Sequence, residues 1–242
     1  MKSFINKSLI KTFGYHLAKY RSKEDLVFGT QTKLSASAKK PIIFDVGAFT
    51  GETALTYNAY FKGSCEIHSF EPYPDSFETL RRVTDNFNNI KVYNLALGNR
   101  IASAQLHVNN FLATNSLLSS SADGIEIWGK DLLETKSKIE VPMQTIDAFI
   151  EKNKINQIDI LKMDTQGSEY MVLEGAKNAI MSGKIKVIYS ELIVMPIYEG
   201  QKELHEMLGL FKDYGFELYN LFTSKDKDER IRFMDGIFVF KN

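Results

Sequence analysis

The sequence predicts an α/β fold: a seven-stranded, mostly parallel sheet that ends in an antiparallel C-terminal hairpin, with helices on both faces. Two observations support this prediction. From residue 41 onward, short apolar runs alternate with amphipathic stretches, which is typical of βαβ units in a parallel sheet. The last two apolar runs, 216–222 and 236–240, have no helical stretch between them, so they predict a hairpin at the edge of the sheet.

Each element is predicted from its local pattern, in chain order. The strands before the hairpin are short apolar runs: 42–46, 66–70, 91–97, 158–163 and 185–190. The helices have apolar residues on one face: 50–61, 75–87, 147–153, 169–181 and 203–214, the last capped by Gly215. The stretch 99–142 interrupts the alternation, because only 105–108 looks like a strand and 109–121 is polar. Long insertions in α/β domains are often functional.

The chain divides into a basic helical extension with a linker, residues 1–40, and a main domain, residues 41–242. The extension has nine Lys and Arg residues against two acids, Glu24 and Asp25. Its predicted helix ends near Tyr20 and bears an apolar stripe: Ile5, Leu9, Phe13 and Leu17. Three interpretations stay open. The stripe packs on its own domain, it pairs with a second subunit in a homodimer, or residues 1–22 lie on an anionic membrane.

Composition excludes several classes of protein and site. The formal net charge is zero, so no general electrostatic footprint for nucleic acid is expected. The single cysteine, Cys65, excludes an intramolecular disulfide and a cysteine-based zinc site, and it favours a reducing, cytoplasmic location. No run of about 20 apolar residues predicts a membrane-spanning helix, and no secretory leader is expected.

Acidic or small residues end several predicted strands, where open α/β sheets bind their ligands. The loop after the first strand reads Asp45-Val46-Gly47-Ala48-Phe49-Thr50-Gly51. Gly47 and Gly51 let the backbone approach a ligand. Phe49 stands where a dinucleotide-binding loop has its second glycine. The pattern resembles the first motif of class I methyltransferases, in which this loop holds the amino-acid part of S-adenosylmethionine.

The next two strand ends add to this predicted cofactor site. Glu71, followed by Pro72, ends the second strand 20 residues after Gly51, and a carboxylate there can accept hydrogen bonds from both ribose hydroxyls. Ala96 and Leu97 end the third predicted strand, where small apolar side chains suit the face of an adenine.

A further segment carries a resemblance to one family. It reads Leu161-Lys162-Met163-Asp164-Thr165-Gln166-Gly167-Ser168-Glu169. With the Asp45 loop, Phe70-Glu71-Pro72 and Tyr198-Glu199-Gly200-Gln201, it resembles the FkbM methyltransferases from about Pro41 to Phe240. Family members often have Glu where this chain has Gln166. The resemblance implies a Rossmann-like class I fold and O-methylation by S-adenosylmethionine, typically of hydroxyls on sugars, glycans or related natural products. A lipid-linked glycan acceptor would fit the membrane interpretation of residues 1–22.

The acceptor side is predicted from chemistry. A sugar hydroxyl is a poor nucleophile, so a general base or a metal must take its proton. Asp164 and Glu191 end neighbouring predicted strands and can share that role, directly or through Mg²⁺, with which two hard carboxylates are compatible. Asp164 also belongs to the predicted cofactor site, and its alternative role is a helix N-cap. Lys162 is a third candidate catalytic residue: it either pairs with one of these acids or is a solvated charge.

Two other functions remain open at this point. One is a nicotinamide-dependent oxidoreductase or epimerase, against which Phe49 argues, because it replaces a glycine of the dinucleotide loop. The other is a non-catalytic module that binds the adenosyl group, against which the acids at Asp164 and Glu191 argue.

Overall fold

The structure, a computed structural model, describes residues 22–225 and 230–241. The predicted N-terminal helix with its apolar stripe lies outside the described residues, and so does the centre of the charged run 224–232. Within the described part of the chain, no helix is long and apolar enough to cross a membrane.

The main sheet has seven strands in the spatial order β3-β2-β1-β7-β8-β10-β9. Its strands are β1 (Ile42–Val46), β2 (Glu66–Phe70), β3 (Ile90–Tyr93), β7 (Ile158–Met163), β8 (Ile185–Ile193), β9 (Phe216–Lys225) and β10 (Ile231–Phe240). The first five are parallel, and β10 runs antiparallel to both β8 and β9. The predicted mostly parallel sheet with its antiparallel C-terminal hairpin is confirmed, and the last strand lies inside the sheet rather than at its edge.

Helices cover both faces of this sheet. They are α1 (Lys23–Leu34), α2 (Glu52–Tyr60), α3 (Pro74–Thr84), α4 (Ala122–Trp128), α5 (Lys130–Leu133), α6 (Ile146–Asn153), α7 (Glu169–Glu174), α8 (Lys177–Met181) and α9 (Leu204–Asp213). Successive strand residues point to opposite faces. Ile43 and Ile160 therefore pack with Tyr57 of α2 on one face, whereas Phe44 and Leu161 pack in a second core on the other.

Helix α1 has no counterpart in the sequence prediction. It belongs to the first of these cores through Val27, which is 2% exposed. The buried side chain of Gln31 accepts a hydrogen bond of 2.6 Å from Tyr57 of α2. At its N-terminal end, Lys23 forms a 2.9 Å ion pair with Asp235 of β10. The boundary at residue 41 stays a prediction.

The predicted strand 91–97 is wrong as one strand. Ile90–Tyr93 belongs to the main sheet, but Ala96–Leu97 forms a separate strand, β4, in a second sheet of order β4-β6-β5. The other strands there are β5 (Ala102–Asn109) and β6 (Thr135–Gln144). The chain leaves the main sheet after Tyr93, where Asn94 donates hydrogen bonds to the carbonyls of Glu71 and Pro72. Residues 99–142, called the insert below, thus contribute β5, most of β6 and the helices α4 and α5.

The predicted helix 169–181 is also divided, into α7 and α8. Gly175 ends α7 in close contact with the backbone, because a Cβ on it would lie 1.9 Å from the carbonyl oxygen of Gly98. The carboxylate of Asp147 then accepts hydrogen bonds from the amides of Asn178 and Ala179 in α8. The spacing of apolar residues continues through the break between α7 and α8, so the sequence pattern does not reveal that break.

Candidate active site

A cleft opens at the carboxyl ends of β1, β2 and β7, between these strand ends and the insert. Its cavity volume is about 200 Å³. The insert contributes one wall through Leu106, Leu112, Ala113, Asn115, Ser116 and Leu117. Of the charged side chains in the described residues, only Glu71 and Asp164 line the cleft.

The loop after β1 brings backbone rather than side chains to the cleft. Gly47 has a φ of +73°, and a Cβ on it would lie 1.8 Å from the carbonyl oxygen of Asp164. Any side chain at this position would therefore collide with the end of β7. Phe49 adopts a φ of +46°, a left-handed conformation that non-glycine residues rarely take and that costs about 1 kcal/mol or more.

Glu71 stabilises that loop from the end of β2. Its Oε2 accepts a 2.9 Å hydrogen bond from the backbone N–H of Phe49, and its Oε1 accepts one of the same length from Tyr73. The residue is only 7% exposed, and burial raises the pKa of its carboxyl to about 7 against the opposing effect of these two hydrogen bonds. Glu71 therefore shapes the loop and also presents an acceptor to the cleft.

Lys162 lies behind the loop and not in the cleft. Its ammonium is 3.1 Å from Asp45 Oδ1 and donates a 2.7 Å hydrogen bond to the carbonyl of Gly47. Both side chains are almost fully buried. Burial alone would lower the pKa of Lys162, but the charges of Asp45 and Asp164 outweigh it and hold this pKa above its usual value. The pair anchors the end of β1 to β7.

Asp164 and Glu191 are joined by the amide of Gln166. Gln166 Nε2 donates hydrogen bonds of 2.9 Å to Asp164 Oδ1 and 3.1 Å to Glu191 Oε2. Asp164 keeps 41% of its side chain exposed and lines the cleft. Glu191 lies behind it, and burial, followed by the charges of Asp164, Glu169 and Asp235, raises its carboxyl pKa well above the usual value.

The insert is tied to this group by two hydroxyls. Ser116 Oγ donates a 2.6 Å hydrogen bond to the backbone carbonyl of Gln166, and the hydroxyl of Tyr198 lies 3.0 Å from Gln166 Oε1. The Tyr198 hydroxyl also lies 2.9 Å from the carbonyl oxygen of Thr114. The insert is thereby connected to Gln166 directly through Ser116 and indirectly through Tyr198.

The sequence-predicted site residues separate into two groups. Those that line the cleft are Gly47, Phe49, Glu71, Pro72, Ala96, Leu97 and Asp164. Those that do not line it are Asp45, Ala48, Thr50, Gly51, Lys162 and Glu191. Asp164 is not the helix N-cap, because Ser168 precedes α7 at that position. The roles of all these residues in binding and catalysis stay predictions.

Sequence reasoning missed the centre of the network. Gln166 was interpreted only as a variant of a family motif, and Tyr198 only as part of the family resemblance. The one sequence feature that indicates Gln166 is its side-chain amide at a position in the chain between two predicted strand-end acids, Asp164 and Glu191. Its left-handed backbone, with a φ of +55°, could not be inferred, because glutamine has no preference for that conformation.

The predicted Mg²⁺ finds no support in the donor set. Among the described residues, no group of three or more His, Cys, Asp and Glu side chains is placed to hold a metal ion. Between Asp164 and Glu191, where a shared cation would lie, the Nε2 of Gln166 donates to both carboxylates.

Comparison with known proteins identifies the family. The model of the FkbM methyltransferase domain matches residues 45–218, which include the end of β1, the loop after it, the insert and the Asp164 segment. The chain belongs to the FkbM methyltransferase family. The protein is therefore a methyltransferase with S-adenosylmethionine as its cofactor, and the nicotinamide and non-catalytic alternatives are set aside.

Individual relatives are distant. The chain is 23% identical over 180 residues to the 2-O-methyltransferase NoeI of Sinorhizobium fredii, covering 72% of each chain. It is 21% identical over 169 residues to the hexuronic acid methyltransferase AglP of Haloferax volcanii, covering 69% of this chain and 62% of AglP. Among solved structures, the methyltransferase domain of METTL16 aligns with a TM-score of 0.50 at 11% identity, covering 100% of this chain and 79% of that one. That likeness supports the class I methyltransferase fold.

Proposed function

We propose that this FkbM methyltransferase transfers a methyl group to a hydroxyl oxygen of a sugar, glycan or related natural product, with Asp164 as the general base. The observation that carries the proposal is the exposure of Asp164 in the cleft. Its Oδ1 is bound by Gln166, whereas Oδ2 has no hydrogen bond within the described residues and has Lys162 at 3.9 Å. An acceptor hydroxyl can therefore donate to Oδ2.

The part of the cleft opposite Asp164 is suited to S-adenosylmethionine. The bare backbone at Gly47 leaves room for the amino-acid part, Glu71 offers acceptor oxygens for ribose hydroxyls, and Ala96 with Leu97 forms an apolar wall suited to adenine. S-adenosylmethionine supplies an electrophilic methyl group on a positively charged sulfur. The negative charges of Glu71 and Asp164 favour that cation in the cleft.

The protein's part in the transfer is to orient the acceptor and to take its proton. The acceptor hydroxyl gives its proton to Asp164 Oδ2 as its oxygen bonds to the methyl carbon. The electron pair of the broken carbon–sulfur bond stays on sulfur, so S-adenosylhomocysteine and a methyl ether leave. Placement of the oxygen in line with the methyl group lowers the barrier further, because the reaction becomes effectively unimolecular.

Two further observations support a polyol acceptor. The relatives NoeI and AglP are named for 2-O-methylation and for a hexuronic acid. In the insert, Asn115 lines the cleft with its Oδ1 bound to the amide of Asn109, while its buried Nδ2 has no hydrogen-bond partner among the described residues. A buried amide without a partner is costly, and an acceptor hydroxyl would satisfy it.

The test is methyl transfer from isotope-labelled S-adenosylmethionine to a panel of glycosides, with mass analysis of the product. We expect a methyl ether on oxygen and a turnover at least about 100-fold lower in Asp164→Asn, while that variant still binds the cofactor. Asn115→Ala should raise the KM for the acceptor and leave that for the cofactor unchanged. Asp123→Asn, an exposed acid of the insert, is the matched control. Full activity of Asp164→Asn would refute Asp164 as the base.

A further inference from the structure

Gln166 has a role that the proposed reaction does not yet assign. We propose that Gln166 is a positioning residue, whose amide joins Asp164 and Glu191 through one hydrogen bond to each and so sets the direction in which Asp164 faces the cleft. The inference rests on the proposed function for its kinetic consequence, but the bridge itself exists without an acceptor.

The polarity of the amide follows from its neighbours. Both hydrogens of Nε2 are used, one for Asp164 at 2.9 Å and one for Glu191 at 3.1 Å. Oε1 points away from the carboxylates to the hydroxyl of Tyr198 at 3.0 Å. The opposite orientation of the amide would place a carbonyl oxygen against two carboxylates. A neutral side chain with two donors on one atom is therefore matched to this pair.

The backbone of Gln166 is held in the conformation that this bridge requires. Its φ of +55° is left-handed, a conformation that non-glycine residues rarely adopt and that is strained. Ser116 Oγ binds its carbonyl at 2.6 Å and fixes that conformation from the insert. The next residue, Gly167, also has a positive φ, of +90°, and a Cβ on it would lie 2.9 Å from the ring of Tyr198. Backbone strain at the centre of this hydrogen-bond network indicates that Gln166 has a functional role rather than a packing role.

The acids on neighbouring elements explain why Asp164 and Glu191 need a hydrogen-bond donor between them. Glu169 of α7 lies near both carboxylates, and Asp235 of β10 lies near Glu191, as do the phenols Tyr189 and Tyr198. Among the described residues, the cations here are Lys162 of β7 and Lys23, which pairs with Asp235 at 2.9 Å. The two donated hydrogen bonds of Gln166 offset part of the repulsion between Asp164 and Glu191, so their loss should favour a proton on the pair. A proton kept on this pair removes the base, because only an ionised Asp164 can accept the acceptor's proton.

The experiment measures the ionisation of the pair in the protein without acceptor, by carboxyl ¹³C NMR of Asp- and Glu-labelled protein from pH 4 to 9. Gln166→Glu adds a third negative charge, and Gln166→Met keeps the length but removes both donors. Each variant should raise the titration midpoint of the pair by about one pH unit or more, because like charges and lost hydrogen bonds both favour the proton. Gln105→Glu, the same change at an exposed position of β5, should leave it unchanged.

The kinetic arm uses the same variants and the best acceptor of the glycoside panel. The acidic limb of the kcat profile should move to higher pH with the NMR midpoint, while the KM for S-adenosylmethionine stays constant. Tyr198→Phe, which frees the amide to rotate, should give a smaller shift in the same direction and replaces Gln166→Glu if that variant does not fold. Unchanged midpoints in Gln166→Glu and Gln166→Met would overturn the proposal. Shifted midpoints in a protein that methylates no glycoside would keep the bridge and refute the proposed acceptor class.

Discussion

Gly47 and Asp164 touch through their backbones at the ends of two neighbouring strands, and a Cβ on Gly47 would lie 1.8 Å from the Asp164 carbonyl oxygen. Gly47→Ala should therefore lower the free energy of unfolding by about 2–4 kcal/mol, through forced separation of β1 and β7 and a strained φ of +73°. Urea denaturation measures this loss.

The matched control for that change is Gly200→Ala. Gly200 has nearly the same φ, +74°, but nothing lies within 4 Å of a Cβ placed there. The control should lose only the strain of the backbone conformation, about 1–2 kcal/mol. Equal losses in the two variants would show that the contact with Asp164 is unimportant.

Glu71 should make cofactor binding depend on pH. Its carboxyl has a pKa of about 7, and hydroxyl donors on a ligand favour the ionised form. Affinity for S-adenosylmethionine should therefore rise as the pH increases through 7, with release of a proton near that pH. Calorimetry in buffers of different ionisation enthalpy detects the proton. Glu71→Ala should bind about 1–3 kcal/mol more weakly and release none, whereas the exposed Glu78→Ala should match the wild type.

Lys162 should be more important for stability than for contact with ligand. Lys162→Met leaves Asp45 buried without its cation, so we expect a loss of about 3–5 kcal/mol in the free energy of unfolding. The double variant Asp45→Asn/Lys162→Met should regain much of it. Lys40→Met, which breaks the exposed pair with Glu66, should cost under about 1 kcal/mol. A stable Lys162→Met protein with no turnover would instead indicate direct catalysis.

The cleft should prefer a neutral acceptor over an anionic one. Its charged lining residues in the described chain are the acids Glu71 and Asp164, and a second carboxylate brought close to Asp164 would be repelled. For a hexoside and the matching hexuronide, kcat/KM for methyl ether formation should be roughly tenfold or more higher with the hexoside. Competition assays with product analysis measure the ratio. A preference for the hexuronide would contradict this prediction.

The N-terminal stripe should be covered by protein rather than by lipid. The chain enters the domain through α1, whose Val27 is buried and whose Lys23 pairs with Asp235. We expect the protein to stay in the aqueous fraction in flotation with anionic liposomes at low salt, and removal of residues 1–22 to lower its stability or dissociate a homodimer. Binding that rises with anionic lipid, falls with salt and is lost with residues 1–22 would instead show membrane association.

The sequence predicts the central strands of the main sheet well because β1, β2 and β7 are buried on both faces. Runs such as Ile158–Met163, which is buried throughout, have no other element compatible with their composition and length. The Ala96–Leu97 strand was wrongly joined to its predecessor because its separation depends on Asn94, which binds carbonyls of a distant loop. Contacts between residues far apart in the chain leave no trace in local periodicity.

The candidate site, like the fold, is predicted from the sequence only in part. Glycines and acids at strand ends indicate which residues gather around the cleft, and Glu71 and Asp164 do line it. Whether a strand-end residue lies in the cleft or behind it depends on the direction of its side chain. Lys162 donates to the carbonyl of Gly47, and Glu191 lies behind Gln166. The role of Gln166 arises only in three dimensions, because Ser116 and Tyr198 that hold it come from separate segments.

The position of β10 between β8 and β9 has a consequence for synthesis of the chain. As translation proceeds from the N-terminus, β8 is made before β10 and has an unpaired edge until β10 emerges. The residues along that edge, including Val187 and Ile188, are fully buried in the finished sheet. A nascent chain that ends before Ile231 thus exposes an apolar strand edge, the kind of surface that recruits chaperones or aggregates. The sheet is therefore complete only after β10, one of the last segments to be synthesised, has emerged.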